Sequence, residues 1–312
     1  MRTSLASKRG SLRARAEKFA AVRVFFAERN VLEADTNILS ETAPVDAHID
    51  VMRVDMGGGK TGYLHTSPEY GLKKLLANGS GDVYQLGHVF RAEEESPLHM
   101  PEFTMLEWYR IGMAYEEFIA ETLDLIRLFL GDLPSETLSY RQALKHYGRV
   151  DYVQEDLGPH VLPFSEKADQ WDSDTQLDLL FSHLVEPHLG KQKLTVITNY
   201  PATQAYLAKT QEDDGISIAR RFEVYFEGIE LANGFDELTC ATEQRERFEK
   251  ENKKRLKLGK ETLPIDEDFL TALQTMPDCC GVAVGFDRLM TFIPEMSESQ
   301  QTALDPSNKP HR

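Results

Sequence analysis

Apolar residues recur at three- and four-residue steps from about Ser11 to Asn30, with Leu12, Phe19, Val22 and Phe26 on one stripe and Arg13, Arg15, Glu17 and Lys18 between them. That spacing predicts an amphipathic helix. A strand-like stretch, Val31–Leu39, follows. His48–Asp55 then alternates, Gly57-Gly58-Gly59 supplies a turn and Gly62–His65 returns, which reads as a hairpin. Ser67-Pro68-Glu69 opens a helix through Leu76. Strands at Val83–Glu93 and Phe103–Arg110 flank a polar loop, and a helix runs from Tyr115 to Leu130. Residues 135–190 read as helical and loop material with less pattern. A strand at Leu194–Thr198 precedes a hairpin at Arg221–Asn233 that turns at Glu227-Gly228. Thr242–Leu258 reads as a charged helix with a solvated face, and Gly281–Phe286 as a short buried strand feeding a helix from Asp287. Strands joined by hairpins predict an α+β fold, an antiparallel β-sheet flanked by helices.

Composition narrows the function. The 312 residues carry 35 Lys and Arg against 51 Asp and Glu, a formal charge of −16, so a protein built mainly to grip nucleic-acid backbone is disfavoured. Neither a signal peptide nor a run of 18 apolar residues is present, and no membrane association is expected. Three cysteines, Cys240, Cys279 and Cys280, lack metal-type spacing and fit buried thiols in a reducing, cytoplasmic compartment. The triglycine before Lys60-Thr61 invites a phosphate-loop reading, but Val54 stands where that pattern needs glycine, so a hairpin turn is the better reading.

Three segments carry candidate chemistry. In Phe90-Arg91-Ala92-Glu93 and His99-Met100-Pro101-Glu102-Phe103-Thr104-Met105-Leu106-Glu107-Trp108-Tyr109, strand alternation puts Arg91 with Glu93, and Phe103 with Glu107 and Tyr109. An arginine fork suits phosphate oxygens and a phenyl face suits a base. The plain alternative is a cross-strand ion pair on a wet sheet face. In the second hairpin, a two-residue turn sets Glu230 opposite Tyr225 and makes Glu223 and Glu230 diagonal neighbours, a pair suited to magnesium or simply tolerated in solvent. In the third, Gly281, Ala283 and Gly285 alternate to leave one strand face nearly bare, with Arg288 in the first turn of the next helix. A flat ligand beside an anion site, or merely tight strand–helix packing, accounts for that pattern.

Together, and in this order, the segments resemble the catalytic domain of class II aminoacyl-tRNA synthetases. Thr66-Ser67-Pro68-Glu69, Met105-Leu106-Glu107-Trp108-Tyr109 and Asn233-Gly234-Phe235-Asp236-Glu237-Leu238 resemble its lysyl branch. The helix similar to that class's first motif starts almost at Met1, leaving no room for an anticodon-binding barrel. The chain is therefore most similar to the elongation factor P–lysine ligase family. Its members activate (R)-β-lysine with ATP and transfer it to a lysine of elongation factor P. A truncated lysyl-type enzyme acting on tRNA and a catalytically silent paralogue are the alternatives. The resemblance implies one catalytic domain over residues 11–296, a flexible 1–10, a frayed 297–312, a homodimer, and no tRNA partner.

By the same resemblance, Arg91 and Arg288 would be catalytic and hold ATP phosphates, with Ala92, Glu93, His99, Met100, Phe103, Glu230, Leu231 and Gly285 completing the ATP site. Glu223 and Glu230 would bind Mg2+. Ser67, Pro68, Glu69, Glu107, Tyr109, Asn233, Glu237 and Ala283 would bind (R)-β-lysine or lysine, Glu237 pairing with a substrate ammonium. The chain departs from the family pattern at Asn37, where proline is usual, and at Met100, where asparagine is usual. Ala283 replaces a glycine of lysyl-tRNA synthetases.

Overall fold

The computed structural model describes residues 5–92 and 100–293. Helix α1 (Leu5–Ala27) begins before Ser11. The stretch expected as one strand at Val31–Leu39 is divided between β1 (Leu32–Glu33) and β2 (Leu39–Ser40), which join different sheets. The predicted hairpin forms as β3 (Arg53–Gly57) and β4 (Lys60–Leu64), and helix α2 (Glu69–Ala77) follows Pro68. Gly57, Gly58 and Gly59, with φ between 64° and 80°, form the turn between β3 and β4, which pair antiparallel across it as a hairpin.

Strand β5 (Val83–Phe90) ends three residues before Glu93 and pairs antiparallel with β6 (Glu102–Ile111), and α3 (Tyr115–Leu130) follows. Residues 135–190 hold more order than their pattern suggested. They contain strand β7 (Ser135–Ser139), short helices α4 (Tyr140–Ala143) and α5 (Gly158–Val161), and helix α6 (Ser173–Leu184). Helices of four residues show no repeating apolar stripe, which is why they were invisible to periodicity. Strands β8 (Leu194–Pro201), β9 (Thr210–Asp213), β10 (Ile216–Phe226) and β11 (Ile229–Asp236) precede the charged helix α7 (Ala241–Lys257). Helix α8 (Glu267–Leu273), strand β12 (Cys279–Gly285) and helix α9 (Phe286–Thr291) complete the strands and α-helices of the described residues.

The large sheet runs β1-β5-β6-β12-β11-β10-β8-β7, with β9 on β10. Its centre is antiparallel as expected, but β1 with β5 and β7 with β8 are parallel, so the sheet is mixed at its margins. Alternation then sorts side chains by face. From β6 and β12, Leu106, Trp108, Cys280, Val282 and Val284 enter a core with Val22 and Phe26 of α1 and Phe118 and Ile126 of α3. Phe26 stacks on Tyr84 at 4.2 Å. Burying such side chains contributes roughly 1.5–3 kcal/mol each. The opposite face of the same strands carries Met105, Glu107, Tyr109, Gly281, Ala283 and Gly285, and it floors the cavity described next.

Candidate active site

A cavity of about 750 Å3 opens on that face, within the range of small-molecule sites. Arg91 and Arg288, 197 positions apart in the chain, both border it. Each is placed by its backbone. Arg91 N–H donates to Pro101 O at 2.9 Å, and the next residue, Ala92, donates to Asp50 O at 2.7 Å. The Asp50 carboxylate is itself held by Lys260 at 2.6 Å. The Arg91 guanidinium lies 5.2 Å from the Phe103 ring centroid. At the other end, Asp287 accepts from Thr104 N–H at 2.7 Å and pairs with Arg15 of α1, tying the first turn of α9 to β6. Arg288 then reaches across the bare strand face, donates to Glu230 O at 2.9 Å and lies 3.7 Å from the Glu230 carboxylate. Gly285 keeps that route open, since a Cβ there would crowd Arg288 at 3.2 Å.

The acidic hairpin departs from the simple register in one informative way. Glu227 (φ 50°) and Gly228 (φ 78°) form the expected turn, and Tyr225 faces Glu230. The next pair is Val224 with Ala232, so Leu231 is an inserted bulge residue. Because one inserted residue flips facing, Asn233 lands opposite Glu223, on the face that carries Glu230. Glu230 and Asn233, three apart, would otherwise point to opposite sides of the sheet.

Glu223 is buried rather than cavity-lining. It accepts from Tyr200 Oη at 2.6 Å and Tyr225 Oη at 2.5 Å, and pairs with Arg221. Burial first, then the neighbouring Glu223 charge, pushes the Glu230 carboxyl up to about 7, against the pull of Arg288, Arg221 and Arg91. Among the described residues no three His, Cys, Asp or Glu gather into a metal cage. A magnesium shared with substrate phosphates needs only one or two carboxylates. Glu230, bordering the cavity beside the raised acidic charge, fits that demand, with Glu223 offering one further lone pair behind it.

A second cluster lies at the other end of the cavity. Glu107 accepts from Ser67 Oγ at 2.6 Å and from Tyr109 Oη at 2.7 Å. Lys73, one turn beyond Glu69 on α2, lies 2.5 Å from Glu69 and 2.6 Å from Glu237. Burial, with the Glu69 charge second, raises the Glu107 carboxyl to about 7. Burial raises Glu237 to about 8, opposed by Lys73 and reinforced by Glu69 and Glu107. For Lys73 burial works against the charge, yet Glu237 and Glu69 outweigh it and its ammonium is held above the usual range. One ammonium serves two carboxylates, so it gains from both while each of them gains only a share. Gly281 is required here, because a Cβ would run into Glu237 Oε1 and the Tyr109 ring.

Of the residues expected at the site, Ser67, Glu69, Arg91, Met100, Phe103, Glu107, Tyr109, Glu230, Leu231, Asn233, Glu237, Ala283, Gly285 and Arg288 border the cavity. Pro68 instead caps α2, and Ala92 is engaged through its backbone with Asp50. Glu93 and His99 lie outside the described residues. Sequence reasoning missed Lys73, although its four-residue spacing from Glu69 signals a shared helix face. It also missed Arg221, packed 4.3 Å from the Tyr200 ring and 5.0 Å from the Tyr206 ring, and Glu186, raised to about 7 by burial and by Glu223 and Glu230.

The profile of class II tRNA synthetases (D, K and N) matches residues 2–309. Elongation factor P–(R)-β-lysine ligases from Photorhabdus laumondii subsp. laumondii and Salmonella paratyphi B are each 46% identical to this chain over 288 residues. That covers 88% of this chain and 88% of each relative.

Proposed function

Since the chain belongs to the elongation factor P–(R)-β-lysine ligase family, within the class II tRNA synthetases of the D, K and N type, we propose that it joins (R)-β-lysine to a lysine side chain of elongation factor P at the expense of ATP. The observation that carries the reading is the shared cavity. Arg91, Arg288 and Glu230 stand at one end and Glu69, Glu107 and Glu237 at the other, so one site addresses both a triphosphate and a diamino acid.

In the first step the amino-acid carboxylate attacks the α-phosphorus of ATP. One P–O bond forms, the bond to the leaving pyrophosphate breaks, and an aminoacyl-adenylate results. The carboxylate needs no activating base, so the protein's part is positioning and charge stabilisation. Arg91 and Arg288 offer guanidinium donors to phosphate oxygens, and Phe103 offers its ring to the base. Magnesium, when bound at Glu230 and Glu223, would supply further neutralisation of phosphate charge. Glu237 and Glu69 hold the substrate's ammonium groups, which orients its carboxylate toward the phosphates. In the second step the neutral amine of the target lysine attacks the acyl carbon, the bond to AMP breaks, and an amide forms with loss of one proton. ATP–pyrophosphate exchange tests the first step: (R)-β-lysine should support exchange best, and absence of exchange with every lysine isomer would overturn the reading.

Ala283 pairs with Glu107 on one side and Asn233 on the other and borders the cavity, so its methyl helps set the pocket's depth. One methyl in a tight pocket is worth about 1–3 kcal/mol of discrimination. Ala283→Gly should move the kcat/KM ratio toward α-lysine by about tenfold; an unchanged ratio would remove Ala283 from specificity.

A homodimer is proposed through the outer side of α1 and the adjoining strands. Val24 on α1, Leu32 on β1, and Ile38 and Leu39 at β2 remain 38–59% exposed, apolar positions that a second copy would cover. Among the described residues no helix is long and apolar enough to cross a membrane.

A further inference from the structure

Lys73, at the amino-acid end of the cavity, is 1% exposed, as buried as Glu237, and the chemistry above leaves it without a role. It is not among the residues bordering the cavity. It stands behind Glu69 and Glu237, at 2.5 and 2.6 Å, with the Tyr109 and Phe269 rings about it at 5.9 and 6.0 Å. A lone buried ammonium is costly, and so is a trio of buried carboxylates. Here three carboxylates, Glu69, Glu107 and Glu237, share one fixed ammonium.

We infer that Lys73 is a positioning residue that fixes Glu69 and Glu237 in place and favours the ionised form of Glu237, so that three carboxylates against one ammonium leave the pocket, once ionised, two positive charges short of neutrality, the complement of a substrate with two ammonium groups. A monoamine would leave one buried carboxylate uncompensated, so the pocket discriminates by charge count as well as by shape. This deepens the diamino-acid reading above and rests on it. The groups interacting with Glu237 are Lys73 and Glu69 from α2, Glu107 and Tyr109 from β6, and Cys279 and Cys280 from β12. Of these only Lys73 is cationic, so no other neighbour can take over its part.

The test is Lys73→Met, with Lys73→Gln as a second neutral variant that keeps a hydrogen-bond donor. Without the ammonium, Glu237 should hold its proton to higher pH, and each unit of that displacement is tenfold in the ionised fraction. Exchange assays should therefore show the KM for (R)-β-lysine raised about 100-fold at pH 7 but only about tenfold at pH 9, with the KM for ATP unchanged. A loss equal at both pH values would mark a merely structural role and overturn the inference, as would an unchanged KM or failure of both variants to fold. Exchange by the unaltered protein with (R)-β-lysine, run alongside, tests the underlying reading separately.

Discussion

Replacing Arg288 with alanine is expected to lower ATP–pyrophosphate exchange about 1,000-fold, on the order of 4 kcal/mol of transition-state stabilisation, while the protein stays folded. The side chain crosses a strand face kept bare by Gly285 and reaches the Glu230 carbonyl, so it occupies the cavity and not the core. A hydrogen bond lost in the free protein, such as that to the Glu230 carbonyl, is worth only about 1 kcal/mol to stability. Activity and stability should thus separate cleanly. Circular dichroism and thermal unfolding close to those of the unaltered protein, combined with near-normal exchange, would remove Arg288 from the mechanism.

The second large effect should appear at the other end of the cavity. Glu237→Gln removes a carboxylate that is 1% exposed and placed against Lys73, and the KM for the amino acid should rise about 100-fold, with the KM for ATP unchanged. The pH dependence follows from the raised carboxyls. In the free pocket burial pushes the Glu107 carboxyl up to about 7 and the Glu237 carboxyl up to about 8, whereas an ammonium substrate binds their ionised forms. At pH 6 binding must therefore expel protons, at a cost that fades as the pH climbs past both values. The KM for the amino acid should fall as pH rises from about 6 to about 8.5, before the substrate amines themselves begin to deprotonate near 10. In Glu237→Gln the upper part of that fall should vanish. A KM that instead increases steadily with pH would contradict the assignment of these two carboxylates to ammonium binding.

Much of this site was legible because strand alternation is a strict code. Phe103, Met105, Glu107 and Tyr109 share a face, as do Gly281, Ala283 and Gly285, and each set is found at the cavity. The helix at Tyr115–Leu130 follows directly from its apolar stripe. What escaped notice depended on residue-by-residue pairing. The Leu231 bulge that brings Asn233 beside Glu223 is a property of two strands together, and neither strand's own pattern signals it. Arg221 looked like one more charge in a hairpin, and its packing on Tyr200 and Tyr206 emerges only once β8 and β10 are paired. The segment 135–190 failed for a different reason, since its strand β7 is parallel to β8 and lies at the sheet margin, where no hairpin turn announces the pairing.

The central claim is that this cavity makes an activated diamino acid and hands it to a protein amine. Incubating the purified protein with ATP, magnesium, radiolabelled (R)-β-lysine, elongation factor P and tRNA in one vessel tests it most directly. Label should enter elongation factor P, stable to mild base as an amide is, with AMP and pyrophosphate released and tRNA left unlabelled. Label in tRNA, or in neither macromolecule, would contradict the account.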